Sequence, residues 1–414
     1  MWDYISFEDV VEIHDKQRKP INNKERLKRI EGKNSKELFP YYGATGQVGV
    51  IDDYITDGEY VLLGEDGAPF LDAFAKKAYI ISGKTWVNNH AHVLKSKINN
   101  KFLCYYLNFF NYKGFVSGTT RLKLTQAQMK CIKIPNVSSK EQQNIVFKIE
   151  ELFSKLDRSE ETLQTIKWQL AVYRQAVLKE AFEGKWEYSH RTNLNVNIKF
   201  KQLKANEESK LVDIPSQWKY VYLSELGDLS RGKSKHRPRN DECLFKDGKY
   251  PFFQTGDVKA ASKILISSKK KYGELGLAQS KLWPAGTLCI TIAANIAETC
   301  FLGVDGCFPD SIVGFTPFDK VVNKEYVRYF IEASKKRLWA FAPATAQKNI
   351  NLATLENLII PYCNIDEQKF IVQEIDSRLS VCDSIEQTVD TALSQAKAMR
   401  QSILKKAFEG GLSE

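Results

Sequence analysis

The sequence predicts an α+β protein built from two α/β globules and two long antiparallel coiled-coil helices, related by a pseudo-twofold internal repeat. Two observations support this prediction. A segment with the periodicity of a long helix occurs twice, at residues 134–184 and 360–410, and each copy follows a segment long enough for a globule. The first of those segments contains short runs of β-branched and aromatic residues between glycines, which are typical of strands.

The two long segments are copies of one another. Placing Pro135 on Pro361 gives an offset of 226 residues, and 21 of the 51 aligned positions are then identical without a gap. Both copies contain Ile-Pro followed by Glu-Gln, and both end in Leu-Lys-x-Ala-Phe-Glu-Gly. Such a repeat indicates that one structural unit is used twice.

Each copy carries an apolar stripe of the kind that pairs with another helix. Three-four spacing sustained over many turns indicates a coiled-coil seam, and at about 1.5 Å per residue each helix would be roughly 60 Å long. Small alanines in the second copy would pack closely against leucines in the first. The predicted seam consists of Ile145, Ile149, Leu152, Leu156, Leu163 and Leu170 in the first copy and Ile371, Ile375, Ile385, Val389, Met399 and Ile403 in the second.

The repeat divides the chain into five segments. We expect a first globule at 1–133, a long helix at 134–184, a linker at 185–212, a second globule at 213–359 and a second long helix at 360–414. The linker is polar and is predicted to make few contacts. The globules resemble each other weakly, with Trp218 matching Trp2 and Asn323 matching Asn100. Their offsets differ, as expected if a shared framework carries loops of different length.

The composition is that of a globular protein with an excess of positive charge. Lys and Arg outnumber Asp and Glu by 60 to 50, and the net charge of +10 suggests an anionic partner, nucleic acid first and a membrane surface second, with a solvated basic face as the alternative. The eight cysteines form no CxxC pair, which favours reduced, buried thiols. No export signal follows Met1 and no apolar run approaches about 20 residues, so a cytoplasmic location is expected.

Residues Gly227 to Ser234 match the GxxxxGK[ST] phosphate-loop pattern. Such a loop binds phosphate only if a helix begins at its Lys and Ser, whereas here Pro238 follows without an apolar stripe. We therefore interpret the segment as a basic loop, with a nucleotide-binding enzyme as the alternative. Dinucleotide and nucleophile-elbow signatures are also missing from the sequence, which favours a binding protein over an enzyme.

Several loops carry side chains suited to DNA. Basic clusters at equivalent points of both globules suit phosphate contacts, and polar loops before the long helices suit base edges; a solvated charge run or an ordinary connector is the alternative for each. The candidates are Lys16, Arg18, Lys19, Tyr42, Thr45, Asn89, His90, Thr120, Arg121 and Lys123 in the first globule and Arg231, Lys233, Lys235, Arg237, Phe253, Thr255, Thr345, Gln347, Lys348 and Asn349 in the second.

His90 and His92 would lie on one face of a strand, as a pair of metal ligands would. A metal site needs further ligands at suitable spacing, and the nearby sequence offers no third His, Cys or carboxylate in such a pattern. A structural role is therefore favoured, and no metal site or catalytic residue is predicted.

The order of these features resembles the specificity subunits of type I restriction-modification enzymes. The resemblance rests on the doubled helix with its Ile-Pro, Glu-Gln and Leu-Lys-x-Ala-Phe-Glu-Gly motifs, and it covers essentially the whole chain. Three further segments carry it: Ile214-Pro215-Ser216-Gln217-Trp218, Asn88-Asn89-His90-Ala91-His92-Val93-Leu94 and Thr345-Ala346-Gln347-Lys348-Asn349-Ile350.

The resemblance implies a non-catalytic, sequence-specific DNA-binding subunit. Each globule would read one half of a bipartite target in double-stranded DNA, and the helix pair would fix the spacer between the halves. Two methyltransferase (modification) subunits and the restriction subunits would be the partners. S-adenosylmethionine, ATP and Mg would bind to those partners, so no cofactor is expected on this chain. A coiled-coil structural adaptor without DNA specificity is the alternative.

Overall fold

The chain divides into two units, each of which contains one globule and parts of both long helices. The first unit comprises residues 1–167 and 387–414, and the second comprises residues 168–386. The computed structural model describes residues 2–194, 200–209, 211–318, 321–341 and 349–411. Within these ranges, no helix combines the length and the apolar character that a membrane span requires.

The globule of the first unit contains a four-stranded antiparallel sheet. Its strand order is β2-β8-β5-β6, beside a three-stranded sheet β4-β3-β7 and the pair β1-β9. The elements are β1 Tyr4–Ser6, α1 Phe7–Val10, β2 Val11–Ile13, a 3-10 turn at Asp15–Gln17, α2 Asn23–Ile30, a 3-10 turn at Ser35–Glu37, β3 Phe39–Gly43, β4 Gly46–Ile51, β5 Tyr60–Gly64, β6 Ala78–Ile81, β7 Trp86–Val87, β8 Ala91–Ser96, α3 Asn100–Phe109, α4 Gln126–Lys130 and β9 Lys133–Pro135. The first long helix, α5, follows at Ser139–Phe182.

The globule of the second unit repeats this plan. Its main sheet has the order β11-β17-β15-β16-β13, beside the pairs β12-β14 and β10-β18. The elements are α6 Ala205–Glu208, β10 Lys219–Tyr222, a 3-10 turn at Leu223–Glu225, β11 Gly227–Arg231, a 3-10 turn at Glu242–Leu244, β12 Tyr250–Phe252, α7 Thr255–Ala260, β13 Ile264–Leu265, β14 Lys270–Tyr272, α8 Glu274–Ala278, β15 Leu288–Thr291, β16 Thr299–Leu302, β17 Ile312–Pro317, α9 Lys324–Ala333, α10 Lys335–Phe341, α11 Leu352–Glu356 and β18 Ile359–Tyr362. The second long helix, α12, spans Ile365–Phe408.

The glutamine of each Glu-Gln motif joins the start of a long helix to the globule. The side-chain oxygen of Gln142 accepts a hydrogen bond at 3.0 Å from the backbone N–H of Asn99, the residue that caps α3. The Gln142 amide donates to the carbonyl of Val137, also at 3.0 Å. Because Gln142 is buried, its loss would leave these backbone groups without partners.

The same arrangement occurs in the second unit. Gln368 accepts from the backbone N–H of Asn323, which caps α9, and donates to the carbonyl of Cys363, both at 2.8 Å. Asn323 is therefore the counterpart of Asn99. The predicted match of Asn323 with Asn100 was wrong by one residue, because sequence similarity there is too weak to fix the register.

In the first unit, the end of α12 packs on the globule through an aromatic cluster. The Phe408 ring lies 5.4, 5.3 and 5.6 Å, centroid to centroid, from the α3 rings of Phe102, Tyr106 and Phe109. Phe408 is buried in the hydrophobic core of that globule. Such ring contacts stabilise the fold through an orientation-dependent attraction, in addition to the hydrophobic effect of burying the rings.

In the second unit, the end of α5 packs in the same way. The Phe182 ring lies 5.0 and 5.1 Å from the α9 rings of Tyr326 and Phe330. The 226-residue offset relates Phe182 to Phe408, while an offset of 224 relates these α9 positions to Phe102 and Tyr106. Each globule therefore holds the start of the long helix that follows it in the chain and the end of the other.

Ion pairs link the two long helices within each unit, and in the first unit they show that the helices run antiparallel. In the first unit, Lys167 pairs with Asp390 at 2.7 Å, and Arg400 pairs with Glu160 at 3.3 Å. In the second unit, Arg174 pairs with Asp383 at 2.6 Å. Within the first unit, residue numbers rise along one helix as they fall along the other, so the prediction of antiparallel helices is confirmed.

The predicted seam was wrong at two positions. Ile385 and Met399 are 41% and 52% exposed. A strict three-four stripe drifts by roughly 20° per heptad around a straight helix, so one continuous stripe cannot face a single partner over 44 residues. Ile145, Ile149 and Ile403 pack in the core of the first globule, Ile371 and Ile375 in that of the second; Leu170 and Val389 are buried, and Leu152, Leu156 and Leu163 are half-buried.

The described residues of the predicted linker pack on the second unit. Trp186 belongs to its hydrophobic core, and the Arg191 guanidinium pairs at 2.7 Å with Glu367, the buried glutamate of the second Glu-Gln motif. The Phe200 ring lies 5.0 Å from that of Tyr362. The expectation of few contacts was therefore wrong, because isolated aromatic residues in a polar stretch suffice to attach it.

We predict that Phe408→Ala destabilises the protein by about 3 to 5 kcal/mol, since it removes a buried ring and leaves a cavity. Urea denaturation of the full chain, followed by circular dichroism, measures this change. Phe147→Ala is the control, because Phe147 also lies on a long helix but is 69% exposed. Equal losses in the two variants would contradict the proposed role of the aromatic cluster.

Candidate nucleic-acid interface

The main sheets of both units present loops at equivalent edges. The first four strands have the same order in both, β2-β8-β5-β6 and β11-β17-β15-β16. Neighbouring strands are antiparallel, so the ends of β2 and β5 lie beside the start of β8, and the ends of β11 and β15 lie beside the start of β17. We call these regions the loop edges. The first comprises residues 14–19, 65–67, 89–90 and 117–123; the second comprises 231–234, 292–298, 310–311 and 349.

The loop before each long helix joins its edge through equivalent backbone contacts. The backbone of Lys123 forms an isolated antiparallel β-bridge with that of Asp66, and the backbone of Asn349 forms one with that of Ala293. The next residue in each loop donates its backbone N–H to the neighbouring loop, from Leu124 to Glu65 and from Ile350 to Ile292, at 2.8 and 2.9 Å. The repeat with offset 226 therefore extends back into these loops.

A buried ionic network supports the first loop edge. Arg18 pairs with Glu65 and with Asp15, and it donates to the carbonyl of Ala91 at 2.9 Å. His92 lies 2.7 Å from Asp15 and 3.0 Å from the carbonyl of Leu124. The prediction that Arg18 contacts DNA was wrong in its role, because its guanidinium is committed to groups within the globule.

The network keeps Asp15 ionised. Burial by itself raises the pKa of the Asp15 carboxyl. The hydrogen bond with His92, the charges of His92 and Arg18, and the backbone N–H of Val93 outweigh burial and hold the pKa below its ordinary value. Asp15 therefore stabilises the fold as a carboxylate.

Three candidate side chains lie together on the outer side of this network. Arg121 Nε is 2.7 Å from a carboxylate oxygen of Asp66, and Arg121 Nη2 is 3.3 Å from His90 Nδ1. Lys123 pairs with Glu65 at 3.4 Å. Arg121 and Lys123 are exposed, so both can approach a ligand.

The other candidates of the first globule differ in exposure. Lys16, Lys19, Thr45, Asn89 and Thr120 are exposed, and all but Thr45 lie on the loop edge as defined above. Tyr42 is half-buried, with its ring 5.8 Å from that of Tyr79. The structure thus brings Asn89, His90, Thr120, Arg121 and Lys123 into one patch and gives Tyr42 a packing role.

Basic side chains also gather at the second loop edge and in the residues that directly follow 231–234. Arg231 donates to the carbonyl of Asp310 at 2.9 Å, while Arg239 binds both carboxylate oxygens of Asp310 at 2.8 and 3.0 Å. Arg237 donates to the carbonyls of Ser234 and His236. Lys233 and Lys235 are exposed.

The remaining candidates of the second globule have different outcomes. Phe253 is fully buried in a core cluster with Trp283 and Phe308, so the prediction that it contacts DNA was wrong. Thr255 is half-buried at the start of α7, and Asn349 is exposed. Thr345, Gln347 and Lys348 lie outside the described residues.

Comparison with known proteins identifies the family. Residues 1–167 and 215–395 match the family model described as type I restriction modification DNA specificity domain. The chain belongs to this type I restriction-modification specificity family. Each matched segment covers one globule and part of the long helix that follows it.

Relatives and solved structures extend the comparison along the specificity chain. It is 26% identical to a putative type I restriction enzyme specificity subunit of Haemophilus influenzae, covering 94% of this chain and 91% of the relative. It is 24% identical to the EcoDI specificity subunit of Escherichia coli, covering 91% and 83%. A chain from a structural study of type I complex assembly has a TM-score of 0.71 at 17% identity, covering 99% and 98%. The HsdS subunit from Thermoanaerobacter tengcongensis has a TM-score of 0.54 at 17% identity, covering 99% and 97%.

The phosphate-loop pattern of this family member lies largely in a strand. Gly227–Arg231 form β11 and pair with β17, and the Gly232 N–H donates to the carbonyl of Ile312. No helix begins at Lys233 or Ser234 within the described part of the chain. Backbone N–H groups are therefore not arranged here to bind a nucleotide phosphate.

One element of the second loop edge escaped the sequence analysis. Ala294 and Ala297 both have φ of +62°, in the left-handed region that alanine rarely adopts. The Thr291 hydroxyl accepts from the backbone N–H of Glu298 at 2.9 Å, which braces this turn. Because glycine or asparagine normally marks such turns, the two alanines gave no sign of a turn in the sequence.

Asp66 and Asp310 were also missed by the sequence analysis, since a carboxylate is not an expected DNA ligand.

The two histidines of the predicted pair, His90 and His92, lie in different environments. His92 is buried in the network with Asp15, whereas His90 lies at the surface. A second cluster has His236 Nε2 2.9 Å from an Asp241 oxygen, with Cys243 nearby. Hydrogen bonds from Cys243 and His236 lower the pKa of Asp241 to about 2. These hydrogen bonds explain the clustering of the three side chains.

We predict that Asp15→Asn destabilises the specificity chain by about 3 kcal/mol at pH 7, because it removes one partner of a buried ion pair. Because the pKa of Asp15 is lowered in the folded protein, its contribution to the free energy of unfolding is fully present above the ordinary pKa of 3.8. This contribution is lost as the pH falls through the pKa of Asp15 in the folded protein. Urea denaturation at several pH values measures it. Glu12→Gln, at an exposed carboxyl, is the control. An advantage that persists in acid would contradict the ionised network.

Proposed function

We propose that this chain is the DNA-recognition subunit of a type I restriction-modification complex, and that each loop edge reads one half of a bipartite DNA target. The observation that carries the proposal is the pair of equivalent loop edges with different side chains. The first carries His90, Arg121 and Lys123, and the second carries Arg231, Lys233 and Asn349. A common frame with different reading groups suits two different half-sites.

The chemistry of these groups supports DNA as the ligand. Arg and Lys bind phosphate oxygens, while Arg and Asn also read base edges. The chain has a net charge of +10, which favours association with a polyanion. Exposed basic groups at both loop edges contribute to this positive charge, which supports binding of DNA at the loop edges.

The long helices would set the distance between the half-sites. Each has 44 residues and contributes to both units. A helix pair cannot shorten without breaking its side-chain contacts, so a fixed spacer is the expected result.

Membership of the family supports a proposal for the partners and cofactors. We propose that two modification subunits and the restriction subunits bind this chain. Methyl transfer with S-adenosylmethionine and cleavage with ATP and Mg would take place on those partners, in the cytoplasm. This chain would supply the target and carry no catalytic group.

Replacing Arg231, Lys233 and Arg237 with Gln should weaken DNA binding and make it less sensitive to salt. Each lost phosphate contact reduces the slope of log K against log salt by about 0.9. The measurement is a salt titration of duplex binding by the complex with its modification subunits. The control replaces three exposed lysines of the long helices, Lys140, Lys369 and Lys406. An unchanged slope would show that the three basic groups only face solvent.

A further inference from the structure

An exposed arginine at the first loop edge is held by a carboxylate. Arg121 Nε lies 2.7 Å from Asp66 Oδ1, and the Arg121 side chain is 59% exposed. Its Nη2 is near His90, and Nη1 makes no hydrogen bond to the described residues. A carboxylate on the Nε side orients the guanidinium, and Nη1 together with the second N–H of Nη2 can donate to another acceptor.

The backbone around this pair fits it closely. Gly67 has φ of +78°, and a Cβ there would lie only 3.0 Å from Arg121 Nε, tighter than most real contacts. The Gly67 N–H donates to the carbonyl of Leu122 at 2.9 Å, and the backbones of Asp66 and Lys123 form a β-bridge. The carboxylate and the arginine are therefore fixed by the same two joined loops.

The third loop completes the site. The backbone N–H of Glu65 donates to the carbonyl of His90 at 2.8 Å, and His90 Nδ1 lies 3.4 Å from Asp66. Beneath them, Arg18 pairs with Glu65 from the buried side. The arginine thus has a rigid support, which lowers the entropy lost when it binds.

The free end of such an arginine matches guanine. In the major groove, guanine presents two acceptors, O6 and N7, to which arginine donates two parallel hydrogen bonds. Adenine presents N7 beside an amino group, which is itself a donor and opposes a second N–H. A fixed pair of donors therefore favours guanine over adenine.

We propose that Arg121 reads a guanine in the half-site bound by residues 1–133, with Asp66 as its positioning residue. The proposal rests on the proposed DNA-recognition function and assigns one recognised base, guanine, to one residue, Arg121. The arginine–aspartate pair in the second unit is different, because both carboxylate oxygens of Asp310 accept from Nη2 of Arg239, whereas Nη2 of Arg121 has the single partner His90 among the described residues. That contact occupies the end of the guanidinium that would face a base, so the proposal concerns the first unit alone.

The test is the sequence methylated by the complex of this chain with its modification subunits, mapped on a genome. Exchange of residues 1–133 with those of another family member identifies the half-site that belongs to the first unit. For Arg121→Gln, we expect preference for guanine at one position of that half to fall by about 5- to 150-fold, the range expected for loss of a bidentate contact. The other positions of the target should keep their preferences.

Two further variants separate positioning from contact. Asp66→Asn should retain guanine as the preferred base but reduce the preference, because the arginine keeps its donors and loses its support. Arg121→Lys should retain binding and recover only part of the preference, since lysine lacks the planar fork. Arg239→Gln is the matched control and should leave the first half-site unchanged.

Other results would overturn the proposal. If Arg121→Gln lowers methylation of all sites equally, with a shallower salt slope and intact base preference, Arg121 binds a phosphate. An unchanged target in all Arg121 and Asp66 variants would exclude both roles. If the wild-type complex methylates without sequence selectivity, the proposed DNA-recognition function itself fails, and the guanine assignment with it.

Discussion

The attachment of each long-helix end to a globule is the constraint on which the rest of the structure depends. Phe408 packs on α3 in the first unit, and Phe182 packs on α9 in the second. The buried glutamines Gln142 and Gln368 hold the helix starts at the same globules. Because a buried ring and a buried amide both specify one position, each globule fixes one helix start and one helix end.

This constraint explains why the chain is doubled. A helix start and a helix end meet at each globule, and they come from different copies of the repeat. The helix segment must therefore satisfy both globules with nearly the same residues, which accounts for the strong identity between its two copies. The loop edges make no such contact and differ freely, as two readers of different half-sites would require.

The sequence predicted the parts of the fold that depend on local pattern. The repeat offset, the two long helices and their antiparallel pairing follow from spacing and from stop signals, and Gly184 and Gly410 both adopt positive φ just after the helices. The seam was less predictable: Ile385 and Met399 fit a heptad but are exposed, because the drift of a straight helix is a three-dimensional effect.

The site was predictable as a set of loops but not by the role of each residue. Arg121 and Lys123 were found because basic groups in a polar loop suit DNA. Arg18 looks the same in sequence, yet its guanidinium pairs with Glu65, an acid that is distant along the chain. Phe253 was misplaced because it packs against Trp283 and Phe308, which are distant along the chain. Long-range partners decide these roles, and a single sequence does not contain them.

The most direct measurement exchanges residues 1–133 with the matching segment of another family member and maps the methylated target of the purified complex. We expect one half of the target to change, while the other half and the spacer stay the same, since the second globule and both long helices are retained. A change in both halves, or in the spacer, would contradict independent readers held at a distance set by the helix pair.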